Sequence, residues 1–155
     1  MISCGHRLRD ALPGLNAHTL CRSAPGDEMP FWAMAWGPPV ASVYSRTAKV
    51  HEPLGDHRAA AEQYALAATA RPADTYARIV ALDLVTGAEM HLKRGSIEQA
   101  CATWHRAIDH MGGVRSVRTR KAVSRMRGDL ARFRARGLRC VAELDERGRD
   151  FLAGV

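Results

Sequence analysis

The chain is poor in the residues that build recognisable catalytic or metal sites. Aromatic residues make up 6% of its 155 residues, and its four cysteines form no C-x-x-C pair and no zinc-like spacing with histidine. We therefore expect free, mostly buried thiols, without a disulfide framework or a bound metal. No G-x-S-x-G, P-loop or G-x-G-x-x-G sequence occurs, so we expect neither an enzyme nor a cofactor.

Long apolar runs are also absent. No stretch approaches the roughly 20 residues that a membrane-spanning helix needs, and Arg7 and Arg9 are not followed by the apolar segment of a secretory signal. We expect a cytoplasmic protein that does not enter a membrane. Its 46% hydrophobic and 25% charged residues are ordinary for one globular domain.

Lysine is scarce, with three residues against 20 arginines, and the positive charge is concentrated at one end of the chain. Residues 1–112 sum to zero, whereas 113–155 carry 12 basic and five acidic residues and hold the whole net charge of +7. Within 114–140, arginines recur at seven-residue spacing, which places them along stripes of a helix. One stripe holds Arg118, Arg125 and Arg132, with Lys121 close by, and a second holds Arg120, Arg127 and Arg134.

Three interpretations of the basic segment 114–140 are open. It can form a solvated face whose long stems cover apolar surface, it can bind an acidic protein or peptide, or it can bind nucleic acid by releasing counterions from phosphates. The segment lacks interleaved aromatic residues, which argues against binding single-stranded nucleic acid. Nucleic acid binding is therefore an alternative that depends on this segment or on a missing domain.

What the sequence does contain is an internal repeat with a period of 40 residues. The stretch 55–72 reads GDHRAAAEQYALAATARP, and 95–112 reads GSIEQACATWHRAIDHMG. A fixed period of this kind is typical of stacked helix pairs, in which a small residue lets two helices approach and a large one fills the gap opposite. The matched positions are Ala48 and Ala88, His51 and His91, Ala60 and Ala100, Tyr64 and Trp104, and Ala67 and Ala107.

Turn and capping residues divide the chain into three helix pairs. Gly55 and Gly95 permit tight turns, Asp56 is an N-cap, and Ser96 with Gln99 reads as a capping box. The predicted helices are about 40–52, from Asp56 to Pro72, from Asp74 or Thr75 to about Lys93, from Ser96 to Gly112, from Ser116 to about Arg136, and a short sixth helix after Gly137.

Residues 1–37 are expected to form an irregular N-terminal segment, because proline and glycine recur throughout them. The exception is FWAMAW at 31–36, since each large side chain costs about 1.5–3 kcal/mol to leave in water. We expect these aromatics either to cap the first repeat or to contact a missing partner. The helical domain then spans 38–155.

The repeat resembles a tetratricopeptide repeat, although its period is 40 rather than the usual 34 and Gly112 stands where a proline is expected. The resemblance implies an all-α fold, a short right-handed solenoid of antiparallel helix pairs that binds a protein, a peptide or a small ligand. The concave face of such a stack is lined by the first helix of each pair. The residues that carry the resemblance are Tyr44, Ala48, Gly55, Ala60, Tyr64, Ala67 and Pro72, and most recur in the second copy.

Residues 38–152 also resemble the C-terminal helical-repeat region of actinobacterial transcriptional regulators. The similar stretches are Tyr76-Ala-Arg-Ile-Val-Ala-Leu, Gly95-x-Ile-Glu-Gln-Ala, Gly113-Val-Arg-Ser-x-Arg-Thr and Ala142-Glu-Leu-Asp-Glu-Arg. Those regulators carry an N-terminal helix-turn-helix domain, and residues 1–37 show no pair of short amphipathic helices. The resemblance implies a regulatory role and allows oligomerisation, with a truncated regulator or a non-functional fragment as further interpretations.

The candidate partner-binding residues come from the basic stripe and from the first helices of the pairs. No catalytic or metal-binding residue is expected. The candidates are Arg118, Lys121, Arg125, Arg132, Ser45, Lys49 and Glu89, and Thr86 lies on the same predicted face.

Overall fold

A computed structural model describes residues 38–113 and 116–154. Those residues form six α-helices and one short 3-10 helix, with no strand among them, so the predicted all-α fold is confirmed. The irregular segment predicted at 1–37 lies outside the described residues. The helices are α1 Pro39–His51, α2 His57–Thr69, α3 Ala73–Lys93, α4 Ile97–Met111, α5 Val117–Ala131 and α6 Arg139–Ala153, and the 3-10 helix is Arg134–Arg136.

The two copies of the repeat have the same turn between their helices. Gly55 has a φ of 75° and Gly95 a φ of 77°, a backbone region in which a side chain is strained. After each glycine, a backbone N–H donates to the carbonyl of the matched histidine: Asp56 to His51 at 3.2 Å, and Ser96 to His91 at 3.0 Å. Glycine is therefore required at both turns.

Matched positions of the two copies are also equally buried. Where α1 meets α2 and α3 meets α4, alanines allow close approach while a ring fills the remaining space. The small and large pattern read from the sequence thus lies inside the molecule. The exposed fractions are 0% for Ala48, Ala88, Ala60, Ala67 and Ala107, 1% for Ala100, 2% for Tyr64 and 3% for Trp104.

α1 packs against α2, α2 against α3, and α3 against α4. α5 and α6 pack together. The first helix of this pair contacts the first helix of the preceding pair, α5 against α3, and the second contacts the second, α6 against α4. The larger hydrophobic core lies among α3, α4, α5 and α6, and a smaller cluster joins α1, α2 and Met90 of α3. First helices α1, α3 and α5 can therefore border a common surface.

The start of α3 and the end of α5 differ from the prediction. α3 begins at Ala73, directly after Pro72 rather than after Asp74 or Thr75, and it has a kink at Tyr76, whose φ and ψ of −118° and 26° are not helical. α5 ends at Ala131 rather than near Arg136. Leu130 is the last fully buried residue of α5. The residues of the following turn are not buried in the core, and this turn forms the 3-10 helix. Gly137, the predicted stop of the fifth helix, instead ends the 3-10 helix, with a φ of 64°.

Across these described ranges, no helix has both the length and the apolar character needed to cross a bilayer.

Candidate ligand-binding groove

A groove of about 690 Å³ is lined by residues of α1, α3 and α5, with two contributions from α2 and the link that follows it. Its polar lining on one side comes from α1, which supplies Ser45, Arg46 and Lys49. On the other side α5 supplies Arg118, Lys121 and Arg125. We call this site the α1–α3–α5 groove.

Most of the candidate residues predicted from the sequence lie in this groove. Glu89 adjoins it through an ion pair with Arg125. Arg132 lies elsewhere: because α5 ends at Ala131, Arg132 leaves the seven-residue stripe, and its guanidinium carbon is 4.9 Å from the ring centroid of Phe133. The candidates that line the groove are Ser45, Lys49, Thr86, Arg118, Lys121 and Arg125.

A buried polar cluster connects α1 to α3 at the base of the groove. Arg71, in the link after α2, is 6% exposed and forms an ion pair with Asp83 of α3. The Ser45 hydroxyl lies 3.2 Å from both carboxylate oxygens of Asp83 and accepts a hydrogen bond of 3.1 Å from Nη2 of Arg71. This cluster fixes the position of α1 beside α3.

The cluster is electrostatically costly. Burial raises the pKa of the Asp83 carboxyl above its ordinary value, while Arg71, Ser45 and Lys49 act in the opposite direction. The Arg71 Nε is buried and has no hydrogen-bond partner among the described residues. The sequence prediction missed both Arg71 and Asp83. Asp83 had a signal, since it is the one charged residue in the apolar run Ile79–Val85.

A second ion pair connects α3 to α5 at the other side. Glu89 of α3 and Arg125 of α5 are in contact, and both are partly exposed. At about 100° per residue, Asp83 and Glu89 are about 120° apart around α3, and Ile79, Leu82 and Thr86 lie between them. α1 and α5 therefore stand on opposite sides of one strip of α3 that faces the groove.

The groove carries a large excess of positive charge. Seven of its lining residues are arginine or lysine and one, Asp83, is acidic. Arg71 already neutralises Asp83, and Glu89 offsets Arg125. The remaining cations have no ion pair with any described residue, so an anionic ligand would find them available. These cations are Arg46, Lys49, Arg78, Arg118 and Lys121.

The second basic stripe has a different environment, because it faces α6. Nε of Arg127 is 2.8 Å from Oδ1 of Asp145, and Nη2 of Arg134 is 2.9 Å from the same oxygen. The hydrogen bond from Arg127 is the largest cause of a lowered pKa at Asp145. Arg120 donates to the Leu152 carbonyl oxygen at 3.2 Å. Arg120 and Arg127 therefore hold α5 on α6, and Arg134 holds the 3-10 helix on α6.

The described thiols are free, as expected for Cys101 and Cys140, and Cys4 and Cys21 lie outside the described residues. Burial and the neighbouring Cys140 raise the pKa of the Cys101 thiol to about 12. No group of three His, Cys, Asp or Glu side chains in 38–113 and 116–154 is arranged to hold a metal ion.

Comparison of the chain with protein-family models, curated proteins and solved structures gives no match. A functional assignment therefore has to rest on the groove and its chemistry.

Proposed function

We propose that the chain is a non-enzymatic helical-repeat scaffold that binds an acidic segment of a partner protein in the α1–α3–α5 groove. One observation supports this most directly: the groove has seven cationic lining residues and a single acidic one, which is already paired with Arg71. A concave site of this charge attracts an anionic ligand and raises its rate of association.

An acidic protein segment fits the groove better than nucleic acid does. The arginines of 114–140 do not form one continuous basic face, because Arg127 and Arg134 are paired with Asp145. The cations of the groove line a concavity between helices, whereas a helix that reads DNA projects its side chains into the major groove. The groove also contains apolar side chains from α3, for which a phosphate backbone offers no partner.

The proposal includes a tetratricopeptide-like stack and a regulatory role in the cytoplasm. The stack is supported by the matched turns at Gly55 and Gly95 and by the contacts of α5 with α3 and α6 with α4. The regulatory role is supported by the resemblance of residues 38–152 to the helical-repeat region of actinobacterial regulators. A partner that links the chain to transcription would be recognised through the groove.

Fluorescence anisotropy with a short labelled peptide of alternating glutamate and serine tests the proposal. At about 50 mM salt, where charge interactions are weakly screened, we expect saturable binding that weakens about tenfold in the double variant Arg118→Glu, Lys121→Glu. A matched control is Arg106→Glu, Lys93→Glu, which changes the net charge equally at exposed positions outside the groove.

The control variant should bind the peptide with nearly unchanged affinity. Equal loss in the two double variants would show that the overall charge, and not the groove, determines binding, and absence of binding would refute the proposal. Duplex DNA is tested under the same conditions. The nucleic acid alternative is favoured if DNA binds more tightly than the peptide and if Arg118→Glu, Lys121→Glu weakens DNA binding while the control variant does not.

A further inference from the structure

The side of α3 that faces the groove is apolar at positions that the protein core does not use. Ile79 and Leu82 line the groove and are half-buried. Within the described residues, neither belongs to the two core clusters or to the partly buried hydrophobic side chains packed on the larger one. They are therefore available to an apolar group of a ligand.

These two side chains form a narrow strip along α3. Ile79 and Leu82 lie about one turn apart, about 4.5 Å along the axis of α3 at 1.5 Å per residue, and Thr86 continues the same face for a further turn. Cations flank it on both sides: Arg46 and Lys49 come from α1, and Arg118, Lys121 and Arg125 come from α5. The groove thus presents an apolar centre between two positive edges.

The width of the groove suits a helix. Packed helices lie about 8–10 Å apart, and α1 and α5 stand about 120° apart around α3, which places their axes about 14–17 Å from each other. A helix packed on α3 midway between them would therefore lie at about the same packing distance from all three helices. A helix with its side chains is about 10–12 Å wide. Its apolar stripe can contact Ile79 and Leu82, while acidic residues on both flanks of that stripe reach the cations of α1 and α5.

We propose that the occupant of the α1–α3–α5 groove is an amphipathic acidic helix of a partner protein, which presents an apolar stripe with acidic residues on both of its sides. This inference rests on the proposed function and specifies its ligand. A uniformly acidic segment would leave Ile79 and Leu82 without an apolar partner. A purely apolar segment would leave the free cations without an anion.

A pair of labelled peptides with identical composition and charge tests the inference. In the first, leucines recur at i, i+3, i+4 and i+7 and acidic residues lie on both flanks. In the second, the same residues are permuted so that the leucines are spread around the helix. We expect the first peptide to bind about tenfold more tightly, since one or two leucines are buried only in that arrangement, and to gain helical circular dichroism on binding.

Equal affinities would overturn the amphipathic ligand while leaving the proposed function standing, because charge alone would then explain binding. Binding of the first peptide without a gain in helical signal would overturn the helical conformation. If none of the three peptides binds, including the peptide of glutamate and serine, the proposed function itself fails.

A variant of the groove provides a second readout. Leu82→Ala should remove most of the advantage of the amphipathic peptide and leave the permuted peptide unaffected, because the apolar contact is made only with the former. Leu66→Ala is the matched control, since Leu66 is 45% exposed on α2 and does not line the groove. An unchanged preference in Leu82→Ala would overturn the assignment of the apolar strip.

Discussion

At the scale of single residues, the Arg71–Asp83 pair is the most consequential interaction in the groove. A buried ion pair is expensive to desolvate, and removing one partner leaves an uncompensated charge inside the protein. We expect Asp83→Asn to lower the free energy of unfolding by about 3–5 kcal/mol. The double replacement Arg71→Met, Asp83→Leu should cost markedly less, because no buried charge remains.

Urea denaturation of the three proteins measures these differences. Glu146→Gln serves as a control that removes a carboxylate from an exposed position of α6, and it should change stability by no more than about 0.5 kcal/mol. A double variant as unstable as Asp83→Asn would contradict the explanation, since the loss would then come from packing or hydrogen bonds rather than from the unpaired charge.

Glu89 occupies the position that a carboxylate of the ligand would take at Arg125. We expect Glu89→Gln to tighten binding of an acidic peptide by up to about fivefold, because an exposed ion pair is worth about 0.2–1 kcal/mol and Arg125 is released. Fluorescence anisotropy measures the affinity. Glu62→Gln changes the net charge equally but frees Arg58 on α2, outside the groove, so an equal effect of the two replacements would contradict a local role for Glu89.

At the scale of helices, Gly148 of α6 lies against the side chains of Met126 and Arg127 of α5. A Cβ at position 148 would lie 2.8 Å from Cε of Met126 and 3.2 Å from Cγ and Cδ of Arg127. At Gly128, in the middle of α5, a Cβ would meet nothing within 4 Å. Alanine at position 148 therefore requires the ends of the Met126 and Arg127 side chains to shift, whereas alanine at position 128 requires no neighbour to move.

Both Gly148→Ala and Gly128→Ala gain about 1 kcal/mol of helix propensity, but only the first crowds a packed interface. We expect Gly128→Ala to raise the free energy of unfolding, and Gly148→Ala to be less stable than Gly128→Ala by about 1 kcal/mol, the low end of the cost of overpacking, because only flexible side-chain ends have to move. Thermal and urea denaturation of the two single variants provide the comparison. Equal stabilisation would show that α6 can move away from Met126 without loss.

The two N-cap residues of the repeat show that the sequence predicts where a helix begins but not which hydrogen bonds cap it. Asp56 and Ser96 have nearly the same backbone angles, with φ and ψ of −80° and 67° against −83° and 71°. The Asp56 carboxylate accepts a hydrogen bond of 3.0 Å from the Ala59 N–H, whereas Ser96 makes no side-chain cap. The predicted capping box is therefore wrong: the Ser96 side chain caps no N–H, and the Ser96 N–H donates to the His91 carbonyl oxygen at 3.0 Å instead of to Gln99.

At the scale of the whole molecule, the repeat made the groove partly predictable. Its period assigns Ser45 and Lys49 to a first helix, and seven-residue spacing places Arg118 and Arg125 on one stripe. The Arg71–Asp83 pair was not predictable, because a contact between a link and the middle of α3 depends on how α1, α2 and α3 pack. The exclusion of Arg132 was not predictable either, since it depends on where α5 ends.

The whole chain is expected to lose stability as the pH falls below neutrality, partly through two histidines. Burial lowers the pKa of His91, and Arg94 adds to the effect; burial and Arg147 lower the pKa of His105. Below the usual histidine pKa of 6.5, the unfolded chain binds protons that the folded chain does not. The free energy of unfolding therefore decreases as the pH falls through 6.5.

Chemical denaturation at several pH values between about 5 and 7.5 measures this slope. In the double variant His91→Gln, His105→Gln, the free energy of unfolding should change less with pH than in the natural chain. The carboxylates are the same in the variant and the natural chain, so they do not contribute to this difference. The pKa of Asp145 is lowered by folding, so the free energy of unfolding decreases further as the pH falls below the usual aspartate pKa of 3.8. The pKa of Asp83 is raised, so just above pH 3.8 its protonation in the folded chain acts in the opposite direction.

The salt dependence separates these local effects from repulsion among the many arginines. About 1 M salt shortens the screening length to about 3 Å, so it weakens the long-range repulsion that grows as carboxylates are protonated. It leaves the burial of His91 and His105 unchanged. The difference in slope between the two proteins should therefore persist in high salt. Its disappearance would assign the acid sensitivity to the net charge of the chain instead of to the two partly buried histidines.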